Sequence, residues 1–132
     1  HQHICKQNAP GVNFQLMSAT DMDFADSSYS NIICVEAAFH FNTREQFLRD
    51  AYRVLKPSGR LVMADALAPS FAPGQLAENF LPSIDAYRAL CEQCGFRDVD
   101  IEDVTIPVLE GCAWASQRFF DEKLRSGEIT RP

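Results

Sequence analysis

Residues 30–66, SNIICVEAAFHFNTREQFLRDAYRVLKPSGRLVMADA, decide the fold of this chain. The segment opens with an unbroken apolar run, Ile-Ile-Cys-Val, at residues 32–35. A short run of this kind, without polar alternation, is typical of a strand that is buried on both faces of a parallel sheet. The first element of the segment is therefore predicted to be a buried strand.

A capping signal and an apolar stripe predict a helix after this strand. Thr43 precedes Gln46 by three residues, and Asn42 precedes Glu45 by the same spacing, so either pair can form a capping box. The apolar positions that follow recur at helical spacing and give one apolar face: Phe47, Leu48, Ala51, Tyr52 and Leu55.

A turn and a second apolar run complete the unit. Residues 56–59, Lys-Pro-Ser-Gly, favour a turn that ends the helix, with Pro at its second position and Gly at its fourth. Residues 61–63 then begin another strand. Two strands joined by one helix lie parallel with a right-handed crossover. The sequence therefore predicts a β-α-β unit in which residues 31–35 and 61–64 are adjacent and parallel.

Length, charge and cysteine usage narrow the classes of protein. The chain has 132 residues, 46% hydrophobic and 23% charged, which is typical of one globular domain over residues 1–132. Its net charge of −6, without any run of Lys or Arg, argues against a nucleic-acid-binding face. No apolar run approaches the roughly 18 residues of a membrane span. The five irregularly spaced cysteines are typical of a reducing compartment, so we expect a cytoplasmic protein.

The rest of the chain supplies weaker signals on both sides of this unit. Ser83 is a good helix N-cap, and Gly95 is a good left-handed helix end. In chain order, the predicted elements are a strand at 12–17, a loop at 18–30, an irregular segment at 66–82 with one or two helical turns at 75–80, a helix from 83 to 95, a half-buried strand at 99–101, and a helix from about 111 to 124.

Three motifs together resemble the class I S-adenosylmethionine-dependent methyltransferases. They are ATDMDF at residues 19–24, EAAFHF at residues 36–41 and RVLKPSGRL at residues 53–61. Their order and spacing are similar to the small-molecule branch that includes the ubiquinone, sterol, tocopherol and phosphoethanolamine enzymes. The resemblance covers roughly residues 10 to 106, because the helix-Gly-Phe pattern that ends at Gly95 also matches.

The resemblance implies a fold, a cofactor and a substrate class. The fold is an α/β, Rossmann-like, mostly parallel sheet flanked by helices, with S-adenosylmethionine along the carboxyl ends of the strands. The predicted strands correspond to the third to sixth of seven, so we expect a partial methyltransferase fold without the first two strands. The six glycines, at 11, 59, 74, 95, 111 and 127, are too far apart to form the family's Gly-rich cofactor loop.

The resemblance also assigns site residues. The loop after the third strand, at Ser18, Ala19 and Thr20, would grip the adenine, although Ser18 replaces the usual Asp and is a weaker acceptor. After the fourth strand, Glu36 and Ala37 would lie along the cofactor. In the phosphoethanolamine branch, an acidic residue and a His at the spacing of Glu36 and His40 lie at the reaction centre.

Each of these sites has a structural alternative. His40 would orient or deprotonate the acceptor, with Glu36 holding it or a substrate cation. Alternatively, His40 packs under the following loop and Glu36 caps a turn. Cys91 and Cys94 have a metal or redox spacing, but a buried helical face explains them better, and we expect no metal site.

Two functions from different classes remain open. The chain is either the C-terminal portion of a methyltransferase that acts on a small molecule, or a truncated, non-catalytic relative that self-associates and binds no cofactor. A redox or metal module at Cys91 and Cys94 is a distant third.

We also expect a homodimer, because residues 32–35 would form an exposed strand edge. Within one molecule, residues 12–17 would pair with that edge. Between copies, the surfaces expected to be buried are Phe14, Phe39, Phe41 or the helix that carries Trp114 and Phe120.

Overall fold

A computed structural model describes residues 11–67 and 76–126 of the chain. The chain divides into two compact units, His1–Asp100 and Ile101–Pro132. The expected single domain over residues 1–132 stays a prediction. Residues 1–10 and the part of the irregular segment at 68–75 lie outside the described residues.

The β-α-β unit forms as predicted. Strand β1 spans Tyr29–Val35, helix α1 spans Arg44–Val54 and strand β2 spans Leu55–Ala64. The two strands pair in parallel, with Ile32 opposite Leu61. This confirms the predicted adjacent, parallel strands and an α/β fold.

The start of α1 follows the predicted capping chemistry. Of the two possible frames, the structure uses the one at Thr43, whose hydroxyl oxygen accepts a hydrogen bond from the Gln46 N–H at 3.3 Å. This bond satisfies one of the N–H groups that the first turn of a helix leaves unpaired.

The predicted turn at residues 56–59 lies inside β2 rather than before it. Leu55, predicted as the last residue of the helix stripe, instead begins the strand. The pairing is irregular here, since β1 advances from Tyr29 to Asn31 while its partner advances from Leu55 to Arg60. A Cβ on Gly59 would lie 2.9 Å from the Lys56 carbonyl oxygen, so this close backbone approach requires glycine.

The two faces of the sheet differ in their burial. One face packs into the hydrophobic core, whose buried members are Cys34, Ala38, Phe47, Leu48, Ala51, Cys91 and Cys94. The opposite face is bare, with Ile33, Val35 and Val62 exposed by 74%, 61% and 60%. The prediction that β1 is buried on both faces is therefore wrong for the described part of the chain, because no described helix of the first unit covers this second face.

Helix α2, Ile84–Gln93, begins and ends where its caps predict. The Ser83 hydroxyl oxygen accepts a hydrogen bond from the Ala86 N–H at 3.1 Å. Gly95 follows the helix with φ +105°, and a Cβ at this position would lie 2.8 Å from the Tyr52 ring. An alanine at position 95 would therefore meet both backbone strain and a steric clash.

Helix α3, Thr105–Ser126, belongs to the second unit and starts about six residues earlier than predicted. It has no buried residue within the described part of the chain. Its exposed apolar side chains include Ile106, Val108, Leu109, Trp114, Phe119 and Phe120. Among the described residues, no helix combines the length and the apolar character that crossing a bilayer requires.

Two predicted strands do not form. Residues 12–17 and 99–101 have no ladder partner among the described residues, and β1 pairs with β2 alone. The predicted pairing of residues 12–17 with β1 is therefore wrong as well. An alternating pattern becomes a strand only where a neighbouring strand takes its backbone hydrogen bonds, and the described chain offers none here.

A buried polar cluster ties α1 to β2, α2 and the 3-10 turn Ala77–Asn79. The Arg44 Nε donates to an Asp65 carboxylate oxygen at 2.7 Å, and the two side chains are only 2% and 3% exposed. The same carboxylate accepts a hydrogen bond from the Tyr87 hydroxyl at 2.9 Å. Among the described residues, no buried side-chain polar atom lacks a hydrogen-bond partner. The cluster is therefore fully satisfied, which a buried charge pair requires.

Replacing Arg44 should destabilise the fold strongly. We expect Arg44→Met to lower the free energy of unfolding by about 3–5 kcal/mol, because the buried Asp65 carboxylate would lose its only cationic partner among the described residues. Urea unfolding followed by circular dichroism measures this. Arg49→Met is the matched control on the same helix, because Arg49 pairs with Glu45 at an exposed site, and it should leave the midpoint nearly unchanged. Equal midpoints for the two variants would contradict the role given to the buried pair.

One exposed sheet face, and an edge of β1 without a strand partner among the described residues, predict self-association. Exposed apolar residues beside unpaired N–H and C=O groups favour pairing with a second copy. Sedimentation at micromolar concentration should therefore give a species of twice the 14.8 kDa chain mass. A well-folded monomer across the concentration range would contradict the expected homodimer.

Candidate functional site

The segment after β1 carries two of the predicted site residues. Glu36 follows the strand in a left-handed conformation, φ +51°, and its N–H donates to the Ala64 carbonyl at 2.8 Å. A 3-10 turn, Ala38–His40, comes next. The side chains of Glu36 and His40 are exposed, and the His40 ring lies 4.1 Å from the Phe39 ring, centroid to centroid. Within residues 11–67 and 76–126, no hydrogen bond or ion pair joins the two, so both side chains face solvent at the carboxyl end of β1.

The predicted adenine loop is a small hydroxyl-linked turn. The Ser18 and Thr20 hydroxyl oxygens lie 2.9 Å apart, and the Thr20 N–H donates to the Ser18 oxygen at 3.2 Å. Ala19 packs against the core, while its N–H has no acceptor among the described residues. An N–H donor beside an exposed hydroxyl group can bind the edge of a planar heterocycle.

The C-terminal part of α1 holds this loop in place. Arg53 donates to the carbonyl oxygens of Met22 and Phe24, both at 2.7 Å. The Asp50 carboxylate accepts from the Met22 N–H at 2.5 Å and from the Arg53 Nε at 2.8 Å. Burial opposes ionisation of Asp50, but the hydrogen bonds from Arg53 and Met22 outweigh it and lower the pKa of the carboxyl group. The loop is therefore fixed by charge-assisted hydrogen bonds rather than by a strand partner.

The N-terminal end of α1 holds the other loop. The second oxygen of the Asp65 carboxylate accepts a hydrogen bond from the Phe39 N–H at 3.1 Å. The Asn79 side chain donates to the Phe41 carbonyl at 2.7 Å and accepts from the Arg44 N–H at 2.6 Å. The turn that carries His40 is thus attached on both sides to the buried polar cluster.

Sequence reasoning missed the four residues of this cluster, Arg44, Asp65, Asn79 and Tyr87. Two local signals were available, since Arg44 directly follows the helix cap and Asp65 directly follows a buried strand. Arg44 and Asn79 are 35 positions apart, and nothing in the irregular segment indicates that they meet. Only the fold brings them together.

Two groups beside Asp65, the Tyr87 hydroxyl and the Cys34 thiol, are held in their neutral forms. Burial and the neighbouring Asp65 charge raise the pKa of Tyr87, so its hydroxyl stays a hydrogen-bond donor. Burial, and then the Asp65 charge, also raise the pKa of the Cys34 thiol. Neither group is poised to act as a nucleophile.

Cys91 and Cys94 lie in the hydrophobic core, exposed by only 8% and 6%. Burial, followed by the neighbouring Cys94, raises the pKa of Cys91 to about 11. Such thiols are weak metal ligands and weak redox nucleophiles, because both roles need the thiolate. No cluster of three or more metal-ligating side chains occurs among the described residues.

The site fits one end of S-adenosylmethionine. The free Ala19 N–H and the exposed Ser18 hydroxyl suit the adenine. The methionine end needs a closely approaching Gly-rich backbone, and Gly59 and Gly95 instead serve a strand irregularity and a helix end. Among the described residues, groups whose chemistry suits the adenine are present, whereas a Gly-rich backbone that would suit the methionine end is not.

Known proteins match the chain over these elements. The family profile described as "Methyltransferase domain" matches residues 2–63. The O-methyltransferase rstn1 of Aspergillus nomiae is 31% identical over 112 residues, which cover 78% of this chain and 50% of that protein. The erythromycin 3''-O-methyltransferase of Saccharopolyspora erythraea is 30% identical, covering 83% of this chain and 44% of that protein.

A C-methyltransferase and a solved structure agree with these matches. The ubiquinone/menaquinone biosynthesis C-methyltransferase of Geotalea daltonii is 26% identical, covering 74% of this chain and 53% of that protein. The crystal structure of the [4+2]-cyclase SpnF superposes with a TM-score of 0.64 at 18% identity, covering 78% of this chain and 40% of that one. At this identity, the superposition supports the fold alone.

The chain spans about half the length of the curated relatives it matches. Over that half, the matched profile, the relatives and the parallel β-α-β unit agree with the resemblance carried by residues 19–24, 36–41 and 53–61. Together these findings support the identification of the chain as a class I S-adenosylmethionine-dependent methyltransferase sequence.

Proposed function

We propose that this chain is the C-terminal portion of a methyltransferase that transfers a methyl group from S-adenosylmethionine to a small molecule. The observation that supports the proposal is that the predicted adenine loop and the loop after β1 contact the same hydrophobic core. Ala19 of the adenine loop and Ala37 of the loop after β1 both pack against the same buried cluster, which includes Ala38. Cofactor-binding and acceptor-binding residues are thus supported by one set of side chains.

In this proposal, the site residues have two kinds of role, cofactor binding and proton transfer. Ser18, Ala19 and Thr20 bind the adenine, while Glu36 and Ala37 line the cofactor path. When bound, the cofactor supplies an electrophilic methyl group. Methyl transfer needs alignment above all, with at most one base from the protein.

His40 is the base in this proposal. Imidazole is the side-chain group that most often acts as a general base, and His40 places one at the carboxyl end of β1. An imidazole nitrogen of His40 takes the proton from an acceptor hydroxyl group as the oxygen attacks. The exposed Glu36 carboxylate, four residues earlier and not paired with His40 among the described residues, holds a cationic group of the acceptor in this proposal.

The alternative of a non-catalytic relative has no comparable support. The matched relatives are named as O- or C-methyltransferases. What favours the alternative is that the described residues provide no Gly-rich backbone for the methionine end of the cofactor, so binding by this chain alone is the decisive measurement.

Cofactor binding can be measured by isothermal titration calorimetry. We expect S-adenosylmethionine to bind the chain with micromolar affinity. Ser18→Asp should bind it several-fold more tightly, because a carboxylate is a stronger acceptor for the exocyclic amine of adenine than a hydroxyl group. Ser116→Asp on α3 is the matched control, because it adds the same charge at an exposed position that is not one of the proposed site residues. Absence of heat at millimolar cofactor in all three proteins would favour the non-catalytic alternative.

The role of His40 can be measured by methyl transfer to a panel of small hydroxylated acceptors. We expect His40→Gln to lower the rate of transfer by about 10²–10⁴-fold, with cofactor affinity unchanged, because only proton transfer is lost. Since His40 is exposed, the free energy of unfolding should change by less than about 1 kcal/mol. A large loss of stability would identify His40 as a packing residue instead.

A further inference from the structure

The Asp65 carboxylate receives hydrogen bonds from three separate segments of the chain. One oxygen accepts from the Phe39 N–H at 3.1 Å, in the turn after β1. The other accepts from the Arg44 Nε at 2.7 Å and from the Tyr87 hydroxyl at 2.9 Å. The side chain is 3% exposed, so water does not compete for these bonds.

The two carboxylate oxygens of Asp65 accept hydrogen bonds from different parts of the chain. The bonds from Arg44 and Tyr87 both go to Oδ2 and join β2 to the two helices. Oδ1 is left for the backbone of the turn Ala38–His40. The His40 N–H donates to the Ala37 carbonyl and the Phe41 N–H donates to the Ala38 carbonyl, so both bonds are local. Among the described residues, Asp65 Oδ1 is thus the one distant acceptor for the N–H groups of residues 39–41.

The same cluster holds the far side of the turn. Asn79 donates to the Phe41 carbonyl at 2.7 Å, and Arg44 donates to the carbonyl oxygens of Asn79 and Ala66. His40 lies between the two attachment points, Phe39 and Phe41. Its imidazole is exposed, while the backbone on both sides of it is held by buried groups.

We propose that Asp65 is a positioning residue for His40. Through the Phe39 N–H, its buried carboxylate fixes the turn from which the imidazole projects, and thus the direction in which His40 meets the acceptor. This inference rests on the proposed methyl transfer. It extends that proposal by assigning a role to a residue that touches neither cofactor nor acceptor.

The variant Asp65→Asn separates this role from general stability. An amide has one acceptor oxygen, which the charged Arg44 binds most strongly, so the NH2 group is left facing the Phe39 N–H. Two donors then oppose each other, and the bond to the turn is lost. Gly95→Ala is the control for lost stability alone, because it strains the end of α2 and clashes with Tyr52 without touching the cluster.

The first readout is independent of activity. Amide exchange by NMR should show Phe39 accelerated at least about tenfold more in Asp65→Asn than Leu48 in the core of α1, whose exchange follows the global loss of stability. The ring signals of His40, assigned by their absence in His40→Gln, should also move. In Gly95→Ala, Phe39 should exchange no faster relative to Leu48 than it does in the parent chain. An unchanged Phe39 amide and an unchanged His40 ring in Asp65→Asn would overturn the inference even if methyl transfer is found.

The second readout uses the reaction. Asp65→Asn should lower kcat by up to about 100-fold, as expected for a misplaced catalytic group, with KM for the cofactor unchanged. Combined with His40→Gln, it should cause no further loss, because both changes remove the same contribution. Losses that multiply in the double variant would overturn the positioning role. A parent chain without methyl transfer would refute the proposed function, while the exchange experiment would still decide whether Asp65 holds the turn.

Discussion

The buried ion pair between Arg44 and Asp65 is the interaction on which the arrangement of this chain depends. A charge pair in a protein core is costly to desolvate, and it persists only where its remaining hydrogen-bonding groups are also satisfied. Here the guanidinium group reaches the end of β2 and the turn before α2, while the carboxylate reaches the turn after β1. A single polar contact therefore coordinates the ends of both strands with both helices of the first unit.

This arrangement compensates for a small sheet. Two strands with one covered face bury little apolar surface, and the described core consists of ten buried hydrophobic residues. Hydrogen-bonded charges are directional in a way that apolar packing is not. They can therefore hold the loops beside the strand ends in fixed positions even where the surrounding sheet is incomplete.

The sequence predicted those parts of the fold whose causes are local. The apolar run at 32–35, the cap at Thr43 and the cap at Ser83 act within a few residues, and each element formed where it was expected. The strands at 12–17 and 99–101 failed because a strand depends on a neighbour, which an alternating pattern cannot reveal. The site residues also differ in whether their positions depend on nearby or on distant parts of the sequence. Glu36 and His40 could be named from a motif, whereas Asp65 and Asn79 act through contacts made across more than twenty positions.

Helix α1 has one further consequence, which follows from its length. Arg44 near its start bonds Asp65 and Asn79, which hold the turn of His40. Arg53 near its end holds the loop of Ser18. At a rise of about 1.5 Å per residue, these two anchors are separated by roughly 13 Å along the helix axis. The length of the helix therefore sets the spacing between the turn of His40, the proposed base, and the Ser18 loop, which is proposed to bind the adenine. Inserting one residue into α1 would turn one anchor by about 100° relative to the other. Over evolution, the surrounding loops can change in length without moving these anchors. A change in the length of α1 would instead displace the His40 turn and the Ser18 loop relative to each other.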